Sequence, residues 1–503
     1  YEVYENRTET NQEVVYYFNL PESAAISGLW LGNSPQRADR FVYQVAPRGA
    51  AQAVYNSEKG QRRDPALLEQ IGPRQYRLRA FPVQPILVNW NQDHTRRISQ
   101  TAPRLYIWMT YRTLALDGVW PMPHLAYKNN VFWDAKTTRK LNGKPVSLTK
   151  DAWLPDSVPL SAAVEPTVHR ADFPGGMSVV AQPLAQANLP SLPADVRLAL
   201  VIDRSRSMED HAREVTTAMI RLKELAPDAD VYLTASSFRG EEASLVSLKQ
   251  SHPETIIYFG GQNPAELLAQ FNSLRAGRSY DGVLVLTDGG AYELGQSKLD
   301  IQVPDAPVWM VHLGSDIPLG YDDKTLELIQ ASGGGVASSL DQALARLAVD
   351  LAGRSGGAQM GDVLDGYAWK VLPTELAAAE PPASGIQGSE DGFTTLLARR
   401  LVLAEIRRQR GTISEVATLD QIHTLAKQYD MVTPYSSMIV LVNERQVKAL
   451  ENLEKQEDRF TREYEGLTST PLVGVPEPEE WLLIGMGALV LAWYVYRSRT
   501  ARV

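Results

Sequence analysis

The 503-residue sequence contains no cysteine. That excludes disulfide frameworks, thiolate zinc sites and cysteine nucleophiles, though it does not fix the compartment. It also lacks a His-Glu-x-x-His pair, a Gly-x-Ser-x-Gly elbow and a phosphate loop. The histidines (His94, His124, His169, His211, His252, His312 and His423) form no ligand spacing. An enzyme is therefore the least supported class. No basic stripe stands out, and a net charge of −9 argues against a nucleic-acid partner. No signal peptide is visible and the first residue is Tyr1, so the chain reads as a mature form or a fragment. What is present is globular in kind: 44% hydrophobic and 22% charged residues, at a length that allows about two to four domains.

The most informative stretch is Leu198 to Ser207, Leu-Ala-Leu-Val-Ile-Asp-Arg-Ser-Arg-Ser. Its apolar run reads as a strand buried on both faces. It then breaks into Asp203, Ser205 and Ser207, three oxygen side chains at spacing two. Such a set suits a hard cation. Val283 to Gly289 repeats the design, a second buried strand ending in Thr287 and Asp288. If the two strands are neighbours in a parallel sheet, their ends share the crevice where open α/β sheets bind ligands. Asp-x-Ser-x-Ser by itself reads as a turn or a helix N-cap; the second strand makes it a metal site.

These residues resemble a von Willebrand factor A domain. The resemblance implies a metal-ion-dependent adhesion site, with Asp203, Ser205, Ser207 and Asp288 holding Mg2+ (or Mn2+ or Ca2+). One position of the open coordination sphere would take a carboxylate from a partner protein. The sequence departs from the family at the loop Gly260-Gly261-Gln262-Asn263-Pro264, where the usual Thr is missing. Gln262 or Asn263 could offer an amide oxygen instead. Asp316, Asp322 and Asp323 could form a second rim. Helices at His211 to Leu225, Glu266 to Leu274, Thr325 to Ala331 and Leu340 to Leu351 alternate with strands at Asp230 to Ser237, Thr255 to Phe259 and Pro307 to Leu313. That rhythm implies a mainly parallel sheet covered on both faces.

Before this domain the pattern is β-rich, with short strands and frequent turns. Strands are expected at Val14 to Phe18, Ile26 to Leu31, Tyr76 to Val83 and Pro103 to Tyr111. Short helical pieces are expected at Ala50 to Tyr55 and Pro65 to Gln70. Tyr16 to Gly28, Ala50 to Tyr55 and Ala66 to Gln70, in this order, resemble the vault protein inter-alpha-trypsin (VIT) domain. That resemblance implies a non-enzymatic binding protein in which the module stands just before an A domain. The dense tryptophans (Trp30, Trp90, Trp108, Trp120, Trp133 and Trp153) read as core packing, or as a carbohydrate- or protein-binding face.

Beyond Gly353 a Gly-rich hinge leads to a strand at Tyr367 to Leu372 and helices at Phe393 to Gln409 and Leu419 to Tyr429. Met431 to Leu441 resembles the segment that follows the A domain in VIT-containing proteins. Asn443 to Leu467 is polar and helical, with Glu444–Lys448, Glu451–Lys455 and Asp458–Arg462 pairs four apart. Trp481 to Tyr496 has no charge. At about 1.5 Å per residue it spans about 24 Å, short of the roughly 30 Å hydrocarbon core. Its flanking aromatics would sit at the interfaces, and the trailing arginines orient it with the tail in the cytoplasm and the folded bulk outside. Pro476, Glu477 and Pro478, the apolar span, then Arg497 and Arg499 together resemble a PEP-CTERM sorting segment. That resemblance implies recognition by an exosortase in a Gram-negative bacterium.

The expected architecture is α+β and multidomain. A VIT-like β-sandwich (1–170) and a linker (171–193) precede a doubly wound parallel α/β sheet resembling an A domain (194–353). An accessory region (354–442), a helical stalk (443–470) and a sorting segment (475–503) with a transmembrane helix at 481–496 follow. The expected function is that of a membrane-anchored envelope or surface protein, binding a partner through a divalent cation. The alternative is a scaffold of the exosortase or envelope system without a working metal site.

Overall fold

Alternation of buried and half-buried residues builds the first sheet. Along β2 (Gln12–Asn19), Val14, Tyr16 and Phe18 are buried while Val15 and Tyr17 are not, the pattern of a strand with one face on a core. The computed structural model describes residues 1–461 apart from 61–64, 73, 91–96, 117, 134–136, 149–151, 163–164, 237–241, 289–303, 315–327, 330, 356–359, 381–391, 410–412 and 414. Its N-terminal partners in the same sheet are β1 (Glu2–Glu5), β3 (Ala25–Gly32), β4 (Phe41–Pro47), β5 (Ala66–Gln70), β6 (Gln75–Val83), β7 (Arg104–Arg112) and β8 (His124–Asn129). Then come β9 (His169–Phe173), β10 (Met177–Pro183), β11 (Leu198–Ile202), β12 (Asp230–Leu233), β13 (Ser244–Ser247), β14 (Gly282–Thr287), β15 (Val308–His312) and β16 (Gly335–Ala337). β17 (Met360–Leu364), β18 (Tyr367–Pro373) and β19 (Ser436–Val440) complete the strands used below.

The N-terminal sheet has nine strands in the order β1-β7-β3-β4-β19-β5-β6-β2-β8. It folds over on itself, so that Tyr4 of β1 meets Tyr16 of β2 at 6.3 Å although six strands separate them in the order. The core between the two halves holds Tyr16, Phe18, Ile26, Leu29, Ile107 and Leu78. The strand closing the middle comes from the far end of the chain. β19 pairs antiparallel with β4 on one edge, Met438 opposite Val45, and with β5 on the other, Met438 opposite Leu68. Residues expected in a separate accessory region thus complete the first domain.

Three further local expectations give way. Ala66 to Gln70 is a strand, not a helical piece. Its residues are good helix formers, but all five are buried in the sheet, and tertiary context overrides propensity. Buried Glu69 takes hydrogen bonds from Gln52 Nε2 (2.6 Å), Arg77 Nη2 (2.9 Å) and Arg79 Nη2 (3.1 Å). Burial alone would raise its carboxyl, yet Arg77 and Arg79 hold it down at about 2. The segment 171–193 is not a bare linker. Pro174-Gly175-Gly176 turns a hairpin between β9 and β10, with Gly175 and Gly176 at φ of 88° and 73°. These strands join β18 and β17 in a four-stranded antiparallel sheet, order β9-β10-β18-β17. The stalk is, among the described residues, a helix of ten residues, α7 (Glu444–Leu453), capped by the Asn443 side chain. It packs on α1 (Arg48–Gly60), burying Gln446 and Leu450, and Gln446 Nε2 donates to Glu58 Oε2 at 3.1 Å.

Between the strands of the small sheet lies the α/β unit. Its six-stranded sheet runs β13-β12-β11-β14-β15-β16, parallel except at the β13 edge. α2 (Ala212–Leu225) and α4 (Leu340–Ser355) cover one face through Val215, Met219, Leu222, Ala343 and Leu347. α3 (Pro264–Leu274) covers the other through Leu267, Leu268 and Phe271. The strand expected at Thr255 to Phe259 is absent there: Pro253 opens a single 3-10 turn, and the edge is supplied by β13. β12 stops at Leu233, short of the expected Ser237.

The α/β unit and the N-terminal sheet pack within one compact unit, Tyr1–Tyr464. α5 (Phe393–Arg408) and α6 (Val416–Gln428) contribute Leu397, Leu401, Ile422 and Ala426 to the large core. At the junction Arg346 of α4 is wholly buried. Its guanidinium donates to Glu22 Oε2 and Oε1 (2.8 and 2.9 Å) and to Asp362 Oδ1 and Oδ2 (2.9 and 3.0 Å). It also lies 4.6 Å from the Trp309 ring centre. Among the described residues no helix is long and apolar enough to cross a membrane. The span Trp481 to Tyr496, the sorting residues Pro476, Glu477, Pro478, Arg497 and Arg499, and the rim candidates Asp316, Asp322 and Asp323 lie outside the described residues.

Candidate functional site

β11 and β14 lie side by side at the centre of the six-stranded sheet, Ile202 opposite Leu286. From β11 the chain steps outward to β12 and β13; from β14 it steps the other way. This is the switch point at which such sheets leave a crevice beyond their carboxyl ends. Every residue of both strands is buried, so the two ends cannot drift apart without opening the core. The backbone N–H of Asp203 donates to Leu286 O at 3.0 Å and locks the first loop residue to the neighbouring strand.

Asp203 is buried and fully engaged. Its Oδ1 accepts from the Ser205 backbone N–H (2.8 Å) and from Ser205 Oγ (2.5 Å). Its Oδ2 accepts from Thr287 Oγ1 at 2.7 Å. Ser205 Oγ in turn accepts from the Gln262 backbone N–H at 3.0 Å. Asp288 stands one residue beyond Thr287, with its backbone N–H on Met208 Sδ at 3.1 Å. Burial, and then the nearby negative charge of Asp288, push the Asp203 carboxyl up to about 6, against the pull of its hydrogen bonds. Ser207 Oγ is buried and has no protein partner. α2 begins at Ala212, after a 3-10 turn from Arg206 to His211.

Asp203 and Asp288 thus follow the ends of adjacent strands, near enough for the charge of Asp288 to act on Asp203, and Ser205 is hydrogen-bonded to Asp203 while Ser207 lies two residues further along the same loop. They offer hard oxygen donors, two of them carboxylates, and Ser207 Oγ is free to turn toward an added group. That donor chemistry fits Mg2+ or a similar cation. Among the described residues no cluster of three or more His, Cys, Asp or Glu side chains could hold a metal; a set built half from serines is of another kind.

The amides of Gln262 and Asn263 are committed elsewhere. Gln262 Oε1 accepts from Thr234 Oγ1 (2.7 Å) and its Nε2 donates to Ala235 O (2.8 Å). Asn263 Oδ1 caps α3 by accepting from Glu266 N–H at 2.9 Å. Neither amide oxygen replaces the missing Thr: one ties two loops together and the other starts a helix. Thr287 carries more weight than its sequence position suggested, since its hydroxyl orients Asp203 directly. Tyr258 lies in the field of Asp203; burial and that charge push its hydroxyl up to about 12. No spacing rule marks it.

A pH signature follows. The folded protein holds the Asp203 proton more tightly than the unfolded chain does. In chelator, Asp203 therefore lowers stability as pH rises from about 4 to 6, by about 3 kcal/mol in all. His312 and His423 act the other way. Burial, aided by Arg74 and Lys427 respectively, pushes them down to about 3 and about 4. The measurement is therefore a difference: denaturant unfolding of the protein and of Asp203→Asn, at pH 4 to 7 in chelator. The variant is expected to gain on the parent between pH 4 and 6, and Mg2+ to restore the parent above pH 6.

Residues 1–86 match the family model of the vault protein inter-alpha-trypsin domain. The chain thus carries a VIT domain at its N-terminus, followed by a doubly wound α/β unit. Two solved structures are similar to parts of the chain. The ArnB paralog VWA2 from Sulfolobus acidocaldarius is 14% identical over 59% of this chain and 95% of that one, with a TM-score of 0.24. The pilus adhesin SpaC from Lactobacillus rhamnosus GG, in its open conformation, is 13% identical over 41% of this chain and 40% of that one, with a TM-score of 0.21. At such scores neither likeness bears on this chain's chemistry. No curated protein matches the sequence.

Proposed function

We propose that the chain is a membrane-tethered, non-catalytic interaction protein. Its α/β unit binds a partner protein through a divalent cation held by Asp203, Ser205, Ser207 and Asp288. The observation that supports this reading is the placement of Asp203 and Asp288 just beyond adjacent strands at the sheet's switch point, with the Ser207 hydroxyl unpartnered in the same loop as Asp203. The cation would leave a coordination position open, and a carboxylate from the partner would fill it. Mg2+ is the first candidate, with Mn2+ and Ca2+ behind it. Asp203 and Ser205 would orient the cation, while Thr287 holds Asp203 in place. The uncharged span Trp481 to Tyr496 would anchor the chain, and the Pro-Glu-Pro segment would deliver it through an exosortase to the envelope, bulk outward.

Calorimetry of the full-length chain with Mg2+, Mn2+ and Ca2+ tests the reading. Saturable binding is expected, reduced at least about 100-fold in Asp203→Ala by analogy with loss of a metal's supporting groups. Absence of heat with all three ions would sink it. A second reading rests on the committed amides of Gln262 and Asn263: a scaffold of the envelope system whose ion site has lost a donor. It expects partner capture to survive chelation, whereas the first reading expects capture to be lost.

A further inference from the structure

The ionic cluster at the junction is not neutral. Among the described residues it gathers three guanidinium groups, Arg346, Arg400 and Arg407, around two carboxylates, Glu22 and Asp362. Both carboxylates are ionised. Burial would raise them, but Arg346 holds each below its ordinary value. Arginine stays charged in proteins, so these five ion-paired side chains carry one positive charge in excess, with Arg346 and Arg400 buried and Arg407 15% exposed. A buried charge without a counter-charge is costly.

The surplus sits beside open space. A cavity of about 50 Å³ is lined by Arg400, Arg407, Glu22, Asp362, the apolar side chains of Trp369 and Ile406, and Gly334, Gly335 and Gly361. Arg400 is 5% exposed, and its Nη1 has no hydrogen-bond partner. Glu22 Oε1 stands 3.9 Å from that nitrogen, beyond hydrogen-bond length. The other terminal nitrogen, Nη2, is held by Asp362. Gly334 is held to glycine by the close backbone of Val308, which a Cβ would strike.

We infer that this cavity binds a small monovalent anion of chloride size, which neutralises the Arg400–Arg407 pair and fastens the α/β unit to the N-terminal domain. A water could satisfy the orphaned N–H but would leave the charge uncompensated. One surplus charge favours a monovalent anion over a phosphate dianion. The inference is independent of the divalent-ion site.

The test compares thermal unfolding of the full-length chain in sodium chloride and in sodium gluconate at equal ionic strength. Chloride is expected to raise Tm in proportion to the logarithm of its concentration above the dissociation constant, by about 2 °C at tenfold that constant. Ala404 also lines the cavity, and Ala404→Met fills it without altering charge. The chloride effect should vanish there and in Arg407→Gln, which brings the cluster to neutrality, and should persist in Asp203→Ala. Crystals grown in bromide should show an anomalous peak beside Arg400 Nη1. Equal melting in the two salts, a chloride effect that survives Ala404→Met, or a cavity without bromide overturns the inference.

Discussion

A chain that stops at Asp430 is expected not to form its N-terminal sheet. β19 is the middle strand of nine, hydrogen-bonded to β4 and β5 along its two edges. Met438, Ile439 and Val440 are all fully buried. Each large-to-small loss in a core costs about 2–5 kcal/mol. Loss of all three, with two ladders of backbone hydrogen bonds, exceeds the roughly 5–15 kcal/mol that holds a domain together. The truncated chain should therefore be open to protease throughout residues 1–193, while the full chain resists. The substitution Ile439→Asp should act in the same direction by placing an unpaired charge in the helix-covered core between α1 and the sheet. A fragment 1–193 that unfolds cooperatively, with well-dispersed amide resonances, would refute the claim that the far end completes the first domain.

Replacement of Arg346 should be the most damaging single change at the junction. Its five nitrogen-to-oxygen bonds reach Glu22, Asp362 and the Val336 carbonyl. In Arg346→Met, Asp362 keeps Arg400 and Arg407, but Glu22 keeps only Arg400 at 3.9 Å. A buried carboxylate left in that state costs about 3–5 kcal/mol. Adding Glu22→Gln removes the stranded charge, so the double variant should recover part of the loss. Denaturant midpoints of the two single variants and the double variant close the cycle. Strict additivity would show that the two side chains do not act on each other.

The sequence is legible where physics is local. Asp203, Ser205 and Ser207 sit at spacing two after an apolar run, and Thr287 and Asp288 after another; both runs are buried parallel strands, adjacent in the sheet. The amphipathic α2 reads directly from its apolar face. Long-range pairing is where legibility ends. Ser436 to Val440 reads as a strand, but nothing in its residues says that it enters between strands formed nearly 400 positions earlier. The hairpin at Asp365-Gly366, with φ of 47° and 80°, carries a clear turn signal; that its Asp365 Oδ2 also accepts from Ser23 N–H at 3.0 Å does not. Ala66 to Gln70 misleads because helix-forming side chains are recruited by neighbours to a sheet. Gln262 misleads differently: a polar residue at a ligand position in the loop proves to be a strut, its amide spent on Thr234 and Ala235. Nothing in the sequence singles out Arg346, because its partners Glu22 and Asp362 lie on other elements.

The placement of β19 also has a mechanical consequence. The α/β unit leaves the first domain after β10 and returns before β17, and these strands flank β18 in one small sheet. A pull on Leu453, at the end of α7, is passed along the chain to β19, the middle strand of the nine. The chain enters and leaves the six-stranded sheet between β10 and β17, so a load passed from α7 into β19 reaches the nine-stranded sheet without running along it.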